Sequence, residues 1–155
     1  MSFEEFMSIF YFKKKEKPIW FELEMDRQAT EQELIEIEEL LNITLPIEYK
    51  QFVSTFGGGY FAFTEIYSTD SESDWYIIKQ NNLLELLRTN GVVVFSSNGA
   101  GDYYGFKESN RKCENKIVFY NHETREIQET PYKNLFDFVV DVGFKQLNKK
   151  DSESS

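Results

Sequence analysis

Cys113 and His122 have side chains that could do covalent chemistry together. They are the only cysteine and the only histidine of the chain, and the pair would supply a nucleophile and a general base. Such a dyad also needs proximity, a third group to orient the base and an oxyanion hole, and the sequence indicates none of these. A single histidine cannot form a histidine metal cluster. We therefore expect no catalytic residues and no metal ligands, with His122 in a turn or at a strand edge.

A second group, Gly99-x-Gly101-Asp102, has the glycine spacing of a phosphate-binding loop. It lacks the third glycine of a dinucleotide fingerprint and the Lys-Ser or Lys-Thr of a P-loop. Asp102 would also repel a phosphate. We expect no nucleotide cofactor, and we expect the carboxylate of Asp102 to accept hydrogen bonds from turn amides while the glycines supply the backbone angles. This turn could also border a partner-binding surface.

Acidic residues form a third group, which is suited to binding a cationic protein. Nine acids and one base, Arg27, lie between Glu22 and Glu48, and a second cluster follows in the loop that carries Asp70, Glu72 and Asp74. Carboxylates can imitate the phosphates that a nuclease binds, although the helical glutamates equally fit a solubilising face. Exposed aromatic residues beside the loop would add binding energy. The candidate partner-binding residues are Tyr67, Asp70, Glu72, Asp74, Trp75, Tyr76 and Asp102.

The overall charge limits the classes of partner. The chain has 155 residues, a net charge of −10 and a pI near 4.7, so its field repels nucleic acids and anionic membranes. No apolar run approaches the eighteen or so residues that span a bilayer. The first residues place acids among the apolar side chains and the lysines after them, which inverts the layout of a secretory signal. With one unpaired cysteine, a reducing cytoplasm is the expected location.

Hydrophobic spacing and turn residues predict the elements that position these groups. A first helix spans the first dozen residues, Thr30 and Glu33 form a capping box for a second, and Pro46 begins a third that Gly57–Gly59 ends. Further predicted elements are an extended segment at 19–25, a strand at 60–67, a helix at 82–88, strands at 92–95, 103–106, 116–120 and 126–129, and a final helix over 135–142. This order indicates one α+β domain over residues 1–147, followed by a flexible tail at 148–155.

The order of these motifs resembles the SUKH superfamily, the Smi/Knr type, over roughly Thr30 to Phe144. The residues that carry the resemblance are Leu45-Pro46, Tyr49, Phe52, Gly57–Gly59, Gly99-x-Gly101-Asp102 leading into Tyr104 and Phe106, the strand Ile117–Tyr120, His122-Glu123 and the aromatic last helix. The resemblance implies a central, mostly antiparallel sheet flanked by N-terminal helices and closed by a C-terminal helix.

For bacterial members, the resemblance also implies neutralisation of a toxin, commonly a nuclease, that a neighbouring cell delivers. It implies no enzymatic activity and no cofactor. The expected function is therefore that of a cytoplasmic immunity protein that binds a cognate toxin stoichiometrically. The alternative is an intracellular regulatory or scaffolding module, like the fungal branch of the superfamily, which regulates cell-wall synthesis.

Overall fold

The computed structural model describes residues 1–144. Its elements are α1 (Phe3–Glu16), a 3-10 turn (Pro18–Phe21), α2 (Glu31–Leu41), α3 (Ile47–Phe56), β1 (Gly59–Phe61), β2 (Thr64–Ile66), α4 (Ile77–Leu83), α5 (Glu85–Thr89), β3 (Val92–Ser97), β4 (Tyr103–Ser109), β5 (Lys112–Asn121), β6 (Glu126–Glu129) and α6 (Leu135–Phe138), which continues as a π-helical turn (Val139–Gly143). The expected boundary at residue 147 and the tail at 148–155 lie outside the described residues.

The sheet order confirms the predicted α+β class. Strands β3 to β6 pair with their sequence neighbours in one antiparallel sheet, and β1 and β2 form a separate hairpin. Bulges interrupt the register between Val94 and Ser96 and between Phe106 and Glu108. Phe106 and Ile117 lie opposite each other and are both buried, so one face of the sheet packs against the helices.

The predicted helix boundaries of α2 and α3 are confirmed by their caps. The Thr30 hydroxyl accepts from the amide of Glu33, and the Glu33 carboxylate accepts from the amide of Thr30. Asn42 ends α2 in the left-handed conformation, at φ 54°. Pro46 directly precedes α3, and Gly57 ends it at φ 81°. These short-range signals set where the two helices begin and end.

Gly58 shows why the chain needs glycines after α3. A Cβ atom on Gly58 would lie 2.4 Å from the Cβ of Ser68, and the Gly58 carbonyl accepts from the amide of Asp26. Non-bonded carbon atoms do not approach so closely, so a larger residue would push the segments of Gly58 and Ser68 apart. This close approach brings the segment before α2 and the segment after β2 onto the same side of the molecule.

Two of the predicted elements were wrong, and a third is helical as predicted but interrupted. The single strand at 60–67 is a hairpin that turns at Ala62, which has φ 53°. The extended segment at 19–25 is a 3-10 turn that Pro18 begins, since proline fixes its own φ and needs no amide partner there, and Met25 forms only an isolated bridge with Gly59. The helix at 82–88 is divided into α4 and α5, which meet at Leu84.

Asn81 closes the outer edge of β3. Its side-chain oxygen accepts from the amide of Val94 and its side-chain nitrogen donates to the carbonyl of Val94, both at 2.9 Å. Asn81 is buried, and the amide of Tyr67 covers the same edge by donating to the carbonyl of Phe95. An open strand edge pairs readily with other chains, and these bonds prevent that pairing.

We predict that Asn81→Leu destabilises the protein by about 2–4 kcal/mol, because it leaves two buried backbone groups of Val94 without partners. Urea unfolding followed by tryptophan fluorescence measures the change. The neighbouring Asn82 is exposed, and Asn82→Leu should change the free energy of unfolding by less than about 0.5 kcal/mol. Equal effects of the two substitutions would show that the side chain of Asn81 does not close the edge.

Candidate functional site

The hairpin formed by β1 and β2 borders a cleft of about 540 Å³, which we call the hairpin cleft. One wall consists of hairpin residues, among them Tyr60, Phe63 and Glu65, and the opposite wall is the turn between β3 and β4, from Ser96 to Gly99. Leu23, Tyr104, Phe138 and Val142 complete the lining. A volume of this size falls within the range of sites that bind small molecules or protruding side chains.

The hairpin wall presents aromatic rings to solvent. Phe63 is 51% exposed and Tyr60 is 41% exposed, although both are large apolar side chains. The ring of Phe63 packs edge-on against Trp20 with centroids 4.9 Å apart, and the Phe63 amide donates to the carbonyl of Gly143. These contacts hold the hairpin tip in place. The wall is therefore an exposed but ordered aromatic surface, which is typical of interfaces.

The opposite wall is held by hydrogen bonds within the turn. Asn98 accepts from the amides of Ala100 and Asp102 through its side-chain oxygen, and its own amide donates to the carbonyl of Asp102. Gly99 and Gly101 have φ of 79° and 94°, which the turn requires. A Cβ on Gly99 would meet no atom within 4 Å, so this wall leaves open space at the mouth of the cleft.

The side chain of Asp102 ties this turn to the next one. Its Oδ1 accepts from the amide of His122 at 2.9 Å and lies 2.6 Å from Nδ1 of the same residue, while Oδ2 accepts from the side chain of Asn98. The His122 amide, the His122 ring and Asn98 lower the pKa of Asp102 to about 2. The predicted hydrogen bond to an amide is confirmed, but the amide belongs to the neighbouring turn. Asp102 therefore positions the wall of the cleft, with both of its oxygens already engaged.

The two acidic clusters of the sequence meet at Arg27. Its guanidinium lies 2.6 Å from a carboxylate oxygen of Glu33 on α2 and 3.5 Å from one of Asp70 in the loop after β2. The Glu72 amide donates to the carboxylate of Asp70. The pKa of the Tyr76 hydroxyl is raised by its burial and by the nearby negative charges of Glu36 and Glu33. We call Glu33, Glu36, Asp70 and Glu72 the acidic face.

The prediction that Tyr67 is an exposed contact residue was wrong. Tyr67 is only 2% exposed, and burial raises the pKa of its phenol above the usual range. Its carbonyl accepts from the buried hydroxyl of Tyr49, which packs beneath the loop. Of the other predicted residues, Glu72 and Asp74 are exposed, with Asp74 lying 3.6 Å from Lys79. Asp70, Trp75 and Tyr76 are partly buried.

Trp75 joins the acidic loop, residues 70–74, to the hairpin cleft. Its ring packs edge-on against Tyr60, with centroids 5.0 Å apart, and a Cβ on Gly59 would lie 3.3 Å from it. Because Tyr60 also lines the cleft, the acidic face and the cleft form one continuous surface. The sequence analysis missed Tyr60, Phe63 and Glu65, since the stretch alternates like a strand and Ala62-Phe63 is not a usual turn pair.

Cys113 and His122 do not form a dyad. They lie near opposite ends of β5, about 30 Å apart at the rise of an extended strand. Burial raises the pKa of the Cys113 thiol to about 12, which disfavours the thiolate that acts as a nucleophile.

Within residues 1–144, no three histidine, cysteine, aspartate or glutamate side chains come together in a way that could hold a metal ion. No helix in this part of the chain is long and apolar enough to cross a membrane.

Comparison with known proteins places this surface in a family context. The SUKH_6 family model, described as SMI1-KNR4 cell-wall, matches residues 31–139, which is more than two thirds of the chain. The match begins with α2 and ends at the last helix, so it includes the acidic face and most of the hairpin cleft. Helix α1 precedes it. No curated protein matches the chain at a significant level.

We predict that Asp102→Asn weakens the fold in a pH-dependent manner. The pKa of Asp102 is lowered from 3.8 to about 2, so its carboxylate stabilises the folded state above the higher value, and this contribution is lost as pH falls through the lower one. The urea midpoint of the variant should lie below that of the wild type at pH 6, and the gap should close between pH 4 and pH 2.

Asp74→Asn is the control, since the Asp74 side chain is 98% exposed and lies only beside Lys79. Its urea midpoint should follow that of the wild type throughout. A difference in urea midpoint between Asp102→Asn and the wild type that persists unchanged to pH 2 would contradict the role assigned to the Asp102 carboxylate.

Proposed function

This chain belongs to the SUKH family of SMI1-KNR4 type, and from that premise we propose that it is an immunity protein that neutralises a cognate toxin by stoichiometric binding. The family covers toxin immunity proteins and cell-wall regulators. The observation that carries the proposal is the continuous surface formed by the acidic face, the Trp75–Tyr60 ring pair and the hairpin cleft. A binding surface that joins charge with exposed aromatic rings is suited to a protein partner.

The acidic face supports a nuclease as the class of toxin. A nuclease presents cations to its substrate, so carboxylates of an inhibitor can occupy the positions that phosphates take. The net charge of −10 attracts such a partner over a long range and can raise the association rate by tenfold or more at low salt. Arg27 holds Glu33 and Asp70 in place, so the carboxylates are arranged before the partner arrives.

The aromatic residues supply the part of the binding energy that charge does not. Exposed ion pairs contribute little each, about 0–1 kcal/mol, whereas a buried aromatic anchor can contribute 2 kcal/mol or more. Tyr60, Phe63 and Trp75 are partly or largely exposed, and each packs against another ring. Because they are already ordered, binding would cost little side-chain entropy.

Occlusion of the toxin in the cytoplasm requires no catalytic step from this chain. The buried Cys113 and the hydrogen-bonded His122 agree with a protein that acts by binding alone. The stoichiometry follows from the mechanism, since each toxin molecule stays blocked only while one immunity protein covers its active site.

The second candidate function is an intracellular regulatory or scaffolding module. The family description, which refers to the cell wall, favours it. In that case the same surface would bind several resident proteins without any toxin. The two functions differ in the number and the nature of the partners, which an experiment can determine.

We predict that co-expression of this chain rescues cells from one toxin, tested first with the C-terminal domain of the product of the adjacent upstream gene. The purified proteins should form a one-to-one complex in size-exclusion chromatography. Rescue with this complex supports immunity. No binding and no rescue, together with the capture of several housekeeping proteins by the tagged chain, would overturn immunity in favour of regulation.

Charge reversal tests the acidic loop within the same assay. The triple variant Asp70→Lys, Glu72→Lys, Asp74→Lys should weaken the complex by at least tenfold and reduce its salt dependence. The matched control reverses three exposed acids on β5 and β6, away from the edge strand β3, namely Glu114→Lys, Glu126→Lys and Glu129→Lys. Equal losses of affinity in the two variants would mean that net charge alone acts, and an unchanged affinity in the first variant would exclude the acidic loop.

A further inference from the structure

We propose that the hairpin cleft binds one cationic side chain of the protein partner, an arginine in preference to a lysine. This inference rests on the proposed function, because it names the chemistry that the partner presents at the same surface. It differs from the role of the acidic face, which steers the partner through many carboxylates. The cleft would instead hold a single residue in a formed receptor.

The aromatic lining of the cleft favours a cation. The rings of Tyr60, Phe63, Tyr104 and Phe138 all border it. The face of an aromatic ring carries negative partial charge and attracts an ammonium or guanidinium group within about 6 Å of its centre. This attraction increases where water is excluded, as it would be in a cleft that a partner covers.

The rings are held in position before any partner binds. Tyr60 packs against Trp75, Phe63 against Trp20, and Tyr104 lies between Phe119 and Phe138 with centroids 5.0 and 4.6 Å away. A receptor whose walls are already ordered loses little entropy on binding. The cleft is therefore a formed site and not a gap between mobile side chains.

Glu65 supplies the charge that a cation would pair with. It is the only charged residue of the lining, and no residue among 1–144 engages its carboxylate in a hydrogen bond or an ion pair. Glu65 pairs directly with Tyr60 across the hairpin, so the carboxylate and the ring project from the same face. A partly buried carboxylate beside aromatic rings matches a guanidinium, which can stack on a ring and bond to an oxygen at once.

Other occupants fit the cleft less well. A purely apolar segment would bury the Glu65 carboxylate without a partner, which is unfavourable. An anion would meet Glu65 and a chain of net charge −10, and a second copy of the chain would bring the same repulsion. A metal ion would find one carboxylate here, and no three-ligand cluster exists within the described part of the chain.

The test is a titration of the isotope-labelled protein with N-acetyl-arginine N-methylamide, followed by NMR. The neutral isostere N-acetyl-citrulline N-methylamide is the matched probe. We expect the amide signals of residues 60–65 and 97–99 to shift with the arginine probe, with Kd on the order of 1–10 mM. The citrulline probe should bind at least roughly tenfold more weakly, because it keeps the shape and lacks the charge.

Variants test the residues assigned to the cleft. Glu65→Gln should weaken arginine binding by about fivefold or more, and Phe63→Leu should also weaken it while the apolar character is kept. Glu126→Gln, on the exposed strand β6, is the control and should leave binding unchanged. No shifts at about 100 mM arginine probe, or equal binding of arginine and citrulline by the wild type, would overturn the inference.

The result is independent of the toxin experiment. Arginine binding without toxin neutralisation would support the arginine site and contradict the proposed function. Toxin neutralisation without arginine binding would support the proposed function and contradict the arginine site.

Discussion

The packing of Phe61 is the constraint on which the proposed binding surface, and above all the hairpin cleft, depends. A two-stranded hairpin is only marginally stable by itself, and β1 and β2 form such a hairpin. Phe61, at the end of β1, is buried and packs against rings from four other segments, namely Phe10, Phe21, Phe52 and Phe144. The aromatic core therefore holds the hairpin, and with it Tyr60, Phe63 and Glu65. It also explains why α1 is part of the fold although the family match begins after it.

The opposite wall of the cleft has a separate support. Its turn is held by Asn98 and by Asp102, whose carboxylate reaches across to His122. One wall thus depends on apolar packing and the other on charge-assisted hydrogen bonds. The acidic face has a third support, the ion pairs of Arg27. Because each part is held by its own interactions, the surface is arranged before a partner binds, which favours fast association and low entropic cost.

Local signals were sufficient to predict the helices α2 and α3 and the four strands of the sheet. The capping box at Thr30, the proline at 46 and the glycine at 57 act within a few residues, so the sequence alone indicates them. The hairpin could not be predicted, because its turn at Ala62 is stabilised by the core and not by its own residue types. The prediction that Tyr67 is exposed was wrong for the same reason, since Tyr49 and β3 bury this residue through long-range contacts. The two acidic clusters meet at Arg27 only in the folded chain, so the sequence could not predict this contact either.

The central claim is that the partner binds across the acidic loop, the Trp75–Tyr60 pair and the hairpin cleft. Hydrogen–deuterium exchange of the chain, free and in complex with its toxin, tests this claim most directly. The account predicts slower exchange on binding in residues 59–66, 70–76 and 96–99, with little change in 112–129. Slower exchange confined to residues 112–129, or no change in the first three segments, would contradict it.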